Sequence, residues 1–341
     1  MLSAKKKVLV TGGAGYVGGV VVPALLARGY DVRVFDNLTF GAEALAAVKD
    51  KVELVTGDVR DFPPEVLDGV WGIIHLAGLS TEATSYYSPR VTDQINHIAT
   101  ENIAKLAKAR GIERFIYPSS CSVYFTYDTP LVPPFYAEDA KVNTISPYSI
   151  SKRMAEEALA ELTDANFKPI IFRKATIYGF SPRMRYDLVV NSFTKDAFSK
   201  RRINVHAGGE IYRPMVDIQD VAAAYCAALE APLDRVGGKI YNIVQSNWRI
   251  GDLAEKFRDT MKVWKGVDVA VDIEPVGAVR NYQADGARFA ADFKLASARP
   301  LEDAIKELWQ KLEDGHDFKD PRWYNDIWQM DQMRSQKTKL A

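Results

Sequence analysis

A glycine-rich turn close to the start of the chain limits what it can fold into more than any other feature. Lys7-Val8-Leu9-Val10-Thr11 reads as a short buried strand, and Gly12-Gly13-Ala14-Gly15-Tyr16-Val17-Gly18 follows at once and opens a helix expected over Tyr16–Arg28. Gly13, Gly15 and Gly18 satisfy G-x-G-x-x-G, while Gly12, Gly15 and Gly18 satisfy G-x-x-G-x-x-G. Side chains are thus missing where the chain must turn tightly, where backbone must approach a ligand, and where helix packs on strand. The free N–H groups and positive dipole end of such a helix suit a pyrophosphate. Gly12, Gly15, Tyr16, Val17 and Gly18 are therefore the expected grip on a dinucleotide.

The pattern continues in kind. Strand candidates recur at Val32–Asp36, Val52–Thr56, Gly72–Ala77, Arg114–Pro118 and Pro169–Arg173. Several are unbroken apolar runs, as expected for strands covered on both faces. Helix candidates at Thr92–Arg110 and Pro147–Leu162 alternate with them. Strand–helix repetition predicts an α/β fold, a doubly wound parallel sheet of Rossmann type. Gly29 and Gly111 suit helix C-terminal caps, and Pro23 predicts a kink in the first helix. Beyond Gly179 the pattern loosens into helices at Leu188–Lys200, Val221–Leu229, Ile250–Trp264 and Leu301–Leu312, with a strand at Lys239–Val244. The expected division is a dinucleotide domain over 1–178, rejoined by 215–245, and a smaller, mostly C-terminal substrate-binding region over 179–214 and 246–316. A polar and aromatic tail, 317–341, is expected as a surface arm.

Composition narrows the partners. With 341 residues and 47% hydrophobic content the chain can bury a large core. Lys+Arg and Asp+Glu both number 44, so no basic excess draws it to nucleic acid or to an anionic membrane. Lys5, Lys6 and Lys7 read as a solvated lead-in to the first strand. The two cysteines, Cys121 and Cys226, stand in no metal spacing and fit a reducing cytoplasm. The opening MLSAKKK has too short an apolar stretch for a signal peptide, and no run reaches membrane-spanning length. No metal constellation is expected.

Asp36 ends the second strand, with Asn37 beside it. A carboxylate there accepts hydrogen bonds from ribose hydroxyls and repels a 2′-phosphate, which favours NAD over NADP. Asp58, next to Val59 after the third strand, is read either as a contact to the adenine amino group or as a helix cap. Tyr148 and Lys152 form a Y-x-x-x-K pair on one helix face. A lysine ammonium and a positive nicotinamide ring are expected to pull the phenol from its reference pKa near 10 towards neutrality. The tyrosine then exchanges a proton with a substrate hydroxyl while hydride moves at the same carbon. Ser119-Ser120-Cys121-Ser122-Val123-Tyr124 closes the fifth strand, at the sheet end where ligands bind. A serine there can bond the reacting hydroxyl, and Ser80, Thr81 and Glu82 after the fourth strand are placed to touch substrate.

TGGAGYVGG, VFDNL, GDVRD, HLAG, SSCSVY, YSISK, FRKATIYG, RPMVDIQDVA and VRNYQAD occur in this order and cover most of the chain. In them the chain resembles the extended short-chain dehydrogenase/reductase family, in its NAD-dependent nucleotide-sugar epimerase/dehydratase branch. The resemblance implies that Leu76, Ala77, Gly78 and Thr176 line the cofactor. Ser120 then completes a catalytic triad with Tyr148 and Lys152, and Lys152 also bonds the nicotinamide ribose. Asn191, Arg213 and Arg280 fall where the family grips a nucleotide-diphosphate sugar, the arginines offering paired donors to phosphate. Ser122 is expected on the substrate side. The helices at Thr92–Arg110 and Pro147–Leu162 resemble those that pair two subunits, so a homodimer is implied.

Departures from the family narrow the reaction. Cys121 and Ser122 stand where sugar-nucleotide 4,6-dehydratases carry an Asp-Glu acid/base pair, and loss of water needs such a shuttle. The 3,5-epimerising relatives carry a catalytic cysteine where this chain has Ser122. Thr176 replaces a usual asparagine, and Phe125 a usual glycine. The expected reaction is epimerisation by transient oxidation at sugar C4. A one-way dehydrogenase or ketoreductase remains the alternative, followed by a non-sugar substrate or a non-catalytic NAD-binding protein.

Overall fold

The computed structural model describes residues 5–126, 129–142, 144–275, 280–295 and 298–340. Residues 1–4 of the lead-in, Val279 of the VRNYQAD stretch and Ala341 of the tail lie outside the described residues.

The chain begins with β1 (Lys7–Thr11), α1 (Gly18–Ala27), β2 (Asp31–Asp36), β3 (Val52–Thr56) and β4 (Val70–His75). Next come α2 (Glu82–Tyr87), α3 (Pro89–Asp93) and α4 (Ala99–Ala109), with α3 running into α4 through a π turn over Gln94–Ile98. They are followed by β5 (Arg114–Ser120), β6 (Phe135–Tyr136), α5 (Pro147–Leu162), β7 (Ile170–Lys174) and β8 (Thr176–Tyr178). Then come α6 (Val189–Lys200), β9 (Arg202–Val205), β10 (Tyr212–Asp217), α7 (Ile218–Glu230), α8 (Leu233–Val236) and β11 (Ile240–Ile243). The last elements are β12 (Ser246–Arg249), α9 (Ile250–Lys265), β13 (Ala270–Ile273), β14 (Gln283–Ala284), α10 (Ala287–Phe293), α11 (Leu301–Glu313) and α12 (Asn325–Leu340).

Seven strands form one parallel sheet in the order β3-β2-β1-β4-β5-β7-β11. The chain winds outward from β1 to β3, then restarts at β4 on the other side of β1. The carboxyl ends of β1 and β4 therefore diverge into a crevice, the usual ligand position in such sheets. Alternation along the strands divides the core. Val8, Val10, Ile74 and Ile116 pack with α1 and α7 on one face, while Leu9, Ile73 and Phe115 pack with α4 and α5 on the other. Pro23 lies inside α1, which continues to Ala27. Gly29 and Gly111 adopt positive φ just past α1 and α4, the left-handed conformation glycine supplies most cheaply.

Not every strand is covered on both faces: β3 is half exposed. It ends the sheet and pairs with β2 alone, and its Glu53 turns outward to Lys7 and Arg33. The tail beyond Asp317 was expected as a surface arm but folds back onto the molecule. Trp323 is buried and donates through Nε1 to the Asp317 carbonyl at 2.8 Å. From α12, Asn325 donates to Ser80 Oγ at 3.2 Å, Thr84 Oγ1 donates to Gln329 at 3.2 Å, and Trp328 donates to the Thr39 carbonyl at 2.7 Å. Hydrogen bonds rather than an apolar stripe seat this helix, which is why periodicity did not reveal it.

Among the described residues, β12-β10-β8, β13-β9 and β14-β6 form three smaller sheets.

Candidate active site

A cavity of about 940 Å³ opens along the carboxyl ends of the central strands. Its floor at one end is the glycine turn. Gly12 has φ +69°, and a Cβ there would sit 2.6 Å from the Ala77 nitrogen, so any side chain would push β1 and β4 apart. A Cβ on Gly18 would meet the Gly13 carbonyl oxygen at 2.4 Å, whereas one on Gly15 would meet only the Gly12 oxygen, at 3.1 Å. Gly15 thus presents bare backbone to the cavity, beside a helix start with no side-chain cap and no acid in its first turn. Tyr16, Val17 and Gly18 continue that wall. Asp36 lines it too, its carboxylate accepting from the Ala14 N–H at 3.0 Å and the Leu38 N–H at 2.8 Å. Burial pushes its pKa upward.

Asn37, Asp58, Val59, Leu76, Ala77, Gly78 and Thr176 also line the cavity. Asp58 takes the capping reading and lines the cavity as well. It caps the turn after β3, accepting from the Arg60 N–H at 2.9 Å, and grips the Arg60 guanidinium at 3.0 and 2.6 Å while still facing the cleft. Open N–H donors, a glycine bare of side chain and a buried carboxylate at the end of β2 together fit a dinucleotide's pyrophosphate and ribose.

The other end is built by α5. Ser146 and Ser149 cap its start reciprocally and Pro147 occupies its first turn, which sets Tyr148 and Lys152 one turn apart on the buried face. Tyr148 lines the cavity together with Ser120, which ends β5. Lys152 lies one layer deeper, its Nζ 2.9 Å from the Pro118 carbonyl oxygen and 3.7 Å from where a Cβ on Gly78 would be. In the protein's own field, burial pushes Tyr148 up to about 12, with Ser120 opposing and Glu82 adding to the rise, so the lowering that proton transfer needs falls to the nicotinamide's charge. Burial, reinforced by Lys174, brings Lys152 down to about 7. The lysine's ammonium bonds a carbonyl rather than the phenol, so desolvation outweighs its charge.

Two candidates lie off the cavity wall. Ser122 is buried away from the cavity wall, where its Oγ has no hydrogen-bond partner among the described residues; its N–H donates to Ser120 Oγ at 3.1 Å. Asn191 is buried outside the cavity wall as well. Its Oδ1 accepts from the Gly179 N–H at 3.0 Å, and its Nδ2 donates to Tyr16 Oη at 3.1 Å and to the Arg185 carbonyl at 2.9 Å. With both amide hydrogens taken, it fastens α6 to the glycine turn. Cys121 points to the Arg173 carbonyl at 3.2 Å and is fully buried.

Ser80, Arg213 and Arg280 do reach the cavity. Arg213 donates to the Tyr212 carbonyl at 3.0 Å and lies 5.1 Å from the Tyr282 ring centre; burial lowers its pKa to about 10. Arg280 is ion-paired to Glu82 at 3.0 Å, and the other carboxylate oxygen of Glu82 is buried without a partner among the described residues.

Residues 8–244 match the NAD dependent epimerase/dehydratase family. The chain belongs to this family. It is 26% identical to a UDP-glucose 4-epimerase of Neisseria meningitidis serogroup C, over 94% of this chain and 100% of that one. It is 27% identical to a UDP-glucose 4-epimerase of Erwinia amylovora, over 89% and 96%. In fold it is similar to a UDP-glucuronic acid 4-epimerase from Bacillus cereus, solved with UDP-glucuronic acid and NAD, with TM-score 0.78 and 21% identity over 90% and 99% of the two chains. A UDP-N-acetylglucosamine 4-epimerase from Methanobrevibacter ruminantium has the same TM-score, 0.78, at 22% identity over 92% and 99%.

Within this epimerase/dehydratase family member, the cavity also gathers residues that sequence spacing did not single out. Lys174 ends β7 next to Ser120, because the two are register partners in adjacent strands. Arg183 stacks on Phe40 at 3.6 Å and bonds Asn325 at 2.5 Å, and Arg185 grips Asp187 at 3.1 and 2.6 Å and donates to Ser80 Oγ at 3.2 Å. The alternation of Arg183 and Arg185 was the one available signal. Among the described residues no helix is long and apolar enough to cross a membrane, and no group of three His, Cys, Asp or Glu could hold a metal ion.

Proposed function

We propose that the chain is an NAD-dependent nucleotide-sugar epimerase acting by transient oxidation at sugar C4. The observation that carries this is that Ser120 and Tyr148 share the wall of the same cavity that begins at the glycine turn. When bound, NAD supplies reversible hydride acceptance at the sugar carbon. The glycine turn and the start of α1 hold its pyrophosphate, and Asp36 its ribose. Tyr148 takes the proton of the reacting hydroxyl and returns it, with Ser120 orienting that hydroxyl. Lys152, beneath Gly78, bonds the nicotinamide ribose and keeps positive charge behind the phenol. Arg213 and Arg280 hold the diphosphate, Arg280 loosening from Glu82 to do so. Residues 1–178 with 215–245 serve as the cofactor half, and 179–214 with 246–316 as the substrate half. The names of the related epimerases make a UDP-sugar the first substrate to test.

A homodimer in the cytoplasm fits this reading. Ile98, Ile150 and Met154 lie exposed on the helices expected to pair subunits, and both cysteines are free and buried. Sedimentation as a monomer at micromolar concentration would remove the dimer from it.

The decisive experiment follows interconversion of C4-epimeric sugar nucleotides with Tyr148→Phe beside the parent. Turnover should fall by roughly 10²–10⁴-fold in the variant, with no net change in cofactor redox state in the parent. Unchanged turnover defeats the mechanism. Steady accumulation of reduced cofactor instead assigns the one-way dehydrogenase.

A further inference from the structure

Lys174 is a cation that this mechanism leaves unused. It ends β7 opposite Ser120 in the register of adjacent parallel strands, so both side chains leave the same face of the sheet. It lines the cavity, and among the described residues its ammonium has no hydrogen-bond or ion-pair partner. Burial, reinforced by Arg185, lowers its pKa to about 8, so the charged form still prevails at pH 7. Two of its cationic neighbours in the cavity wall are compensated, Arg185 by Asp187 and Arg280 by Glu82.

A cation taken out of water without a partner is costly, and a substrate filling the cavity would desolvate it further. Sugar hydroxyls accept hydrogen bonds but do not offset the charge; an anion does both. The cofactor's pyrophosphate is out of reach. β7 lies three strands from β1, or roughly 14 Å at ordinary strand spacing, and the glycine turn follows β1. The substrate diphosphate falls to Arg213 and Arg280. What remains beside Ser120 and Tyr148 is the reacting sugar itself.

We propose that Lys174, in the field of Arg185, forms a subsite for a carboxylate carried on the sugar ring, making the substrate an acidic sugar nucleotide. The inference rests on the sugar-nucleotide reading above and deepens it.

Calorimetric titration of the NAD-loaded full chain tests it, with matched pairs as probes: UDP-glucose against UDP-glucuronic acid, dTDP-glucose against dTDP-glucuronic acid, and GDP-mannose against GDP-mannuronic acid. For the pair whose base is accepted, the acid should bind at least ~10-fold tighter, the range for a charged hydrogen bond. Lys174→Met should bring that ratio close to one, and Lys174→Arg should keep it. Equal affinity for both members of a bound pair overturns the subsite and leaves the epimerase reading standing. So does a Lys174→Met variant that weakens both members equally, since that marks a general structural role. Binding of no pair overturns the sugar-nucleotide reading, and the subsite with it.

Discussion

Lys152 carries its ammonium into a position where a backbone carbonyl, that of Pro118, is its hydrogen-bond partner. The fold therefore bears a cost that the chemistry requires. With its pKa at about 7 against 10.5 for a free lysine, the unfolded chain binds more protons between those values, so stability rises with pH through that window. Below pH 7 the amine is charged in both states and the whole penalty is felt. Lys152→Met should accordingly stabilise the fold by roughly 1–4 kcal/mol at pH 6, less at pH 9, while turnover collapses. Urea denaturation at the two pH values checks this, and a variant no more stable than the parent at pH 6 would refute it. Tyr148 and Lys152 were legible in the sequence because one helix fixes their relation. Lys174, Arg185 and the Arg280–Glu82 pair were not, because their positions depend on strand order and on loops from distant parts of the chain. Ser122 and Asn191 show the reverse: matching a family position does not make a side chain face the cleft.

At the level of elements, α5 concentrates the local determinants of the site. Tyr148 is its second residue, so the reciprocal cap between Ser146 and Ser149 fixes the phenol as much as the helix. Ser146→Ala should cost about 1 kcal/mol of stability and lower turnover severalfold, because a frayed first turn loosens the hold on Tyr148 beside Ser120 in the cavity wall. The exposed mid-helix change Glu157→Ala is the control. Equal turnover in both variants would show that packing alone seats the tyrosine. Helices such as α5 were readable almost to the residue, since their caps and spacing are local. β3 was legible as a strand, but not its place at the sheet's edge, because whether a strand ends the sheet is decided by what the rest of the chain adds. β4 ends at His75 rather than Ala77, and Leu76, Ala77 and Gly78 beyond it line the cleft.

Over the whole molecule, the doubly wound sheet was legible from alternating strands and helices, and the glycine turn located its switch point. The closing of the cleft was not, because α12 has no apolar stripe and is seated by polar bonds to loops far away in sequence. Those bonds reach both sides of the opening. Trp328 holds the Thr39 loop near Asn37 on the cofactor side, and Asn325 and Gln329 hold Ser80 and Thr84 on the substrate side. Gln329, Gln332 and Met333 themselves line the cavity. Each such bond is worth about 0.5–1.5 kcal/mol net, so losing the set lowers the barrier to opening by enough to matter for a trapped cofactor. A chain ending at Tyr324 keeps the buried Trp323 and should stay folded. It should release NAD roughly 10-fold faster than the full chain. Stopped-flow displacement of bound cofactor, followed by its fluorescence, measures the difference. Identical release rates would mean that α12 rests on the cleft without holding it shut, and retention of cofactor would then belong to the glycine turn and Asp36 alone.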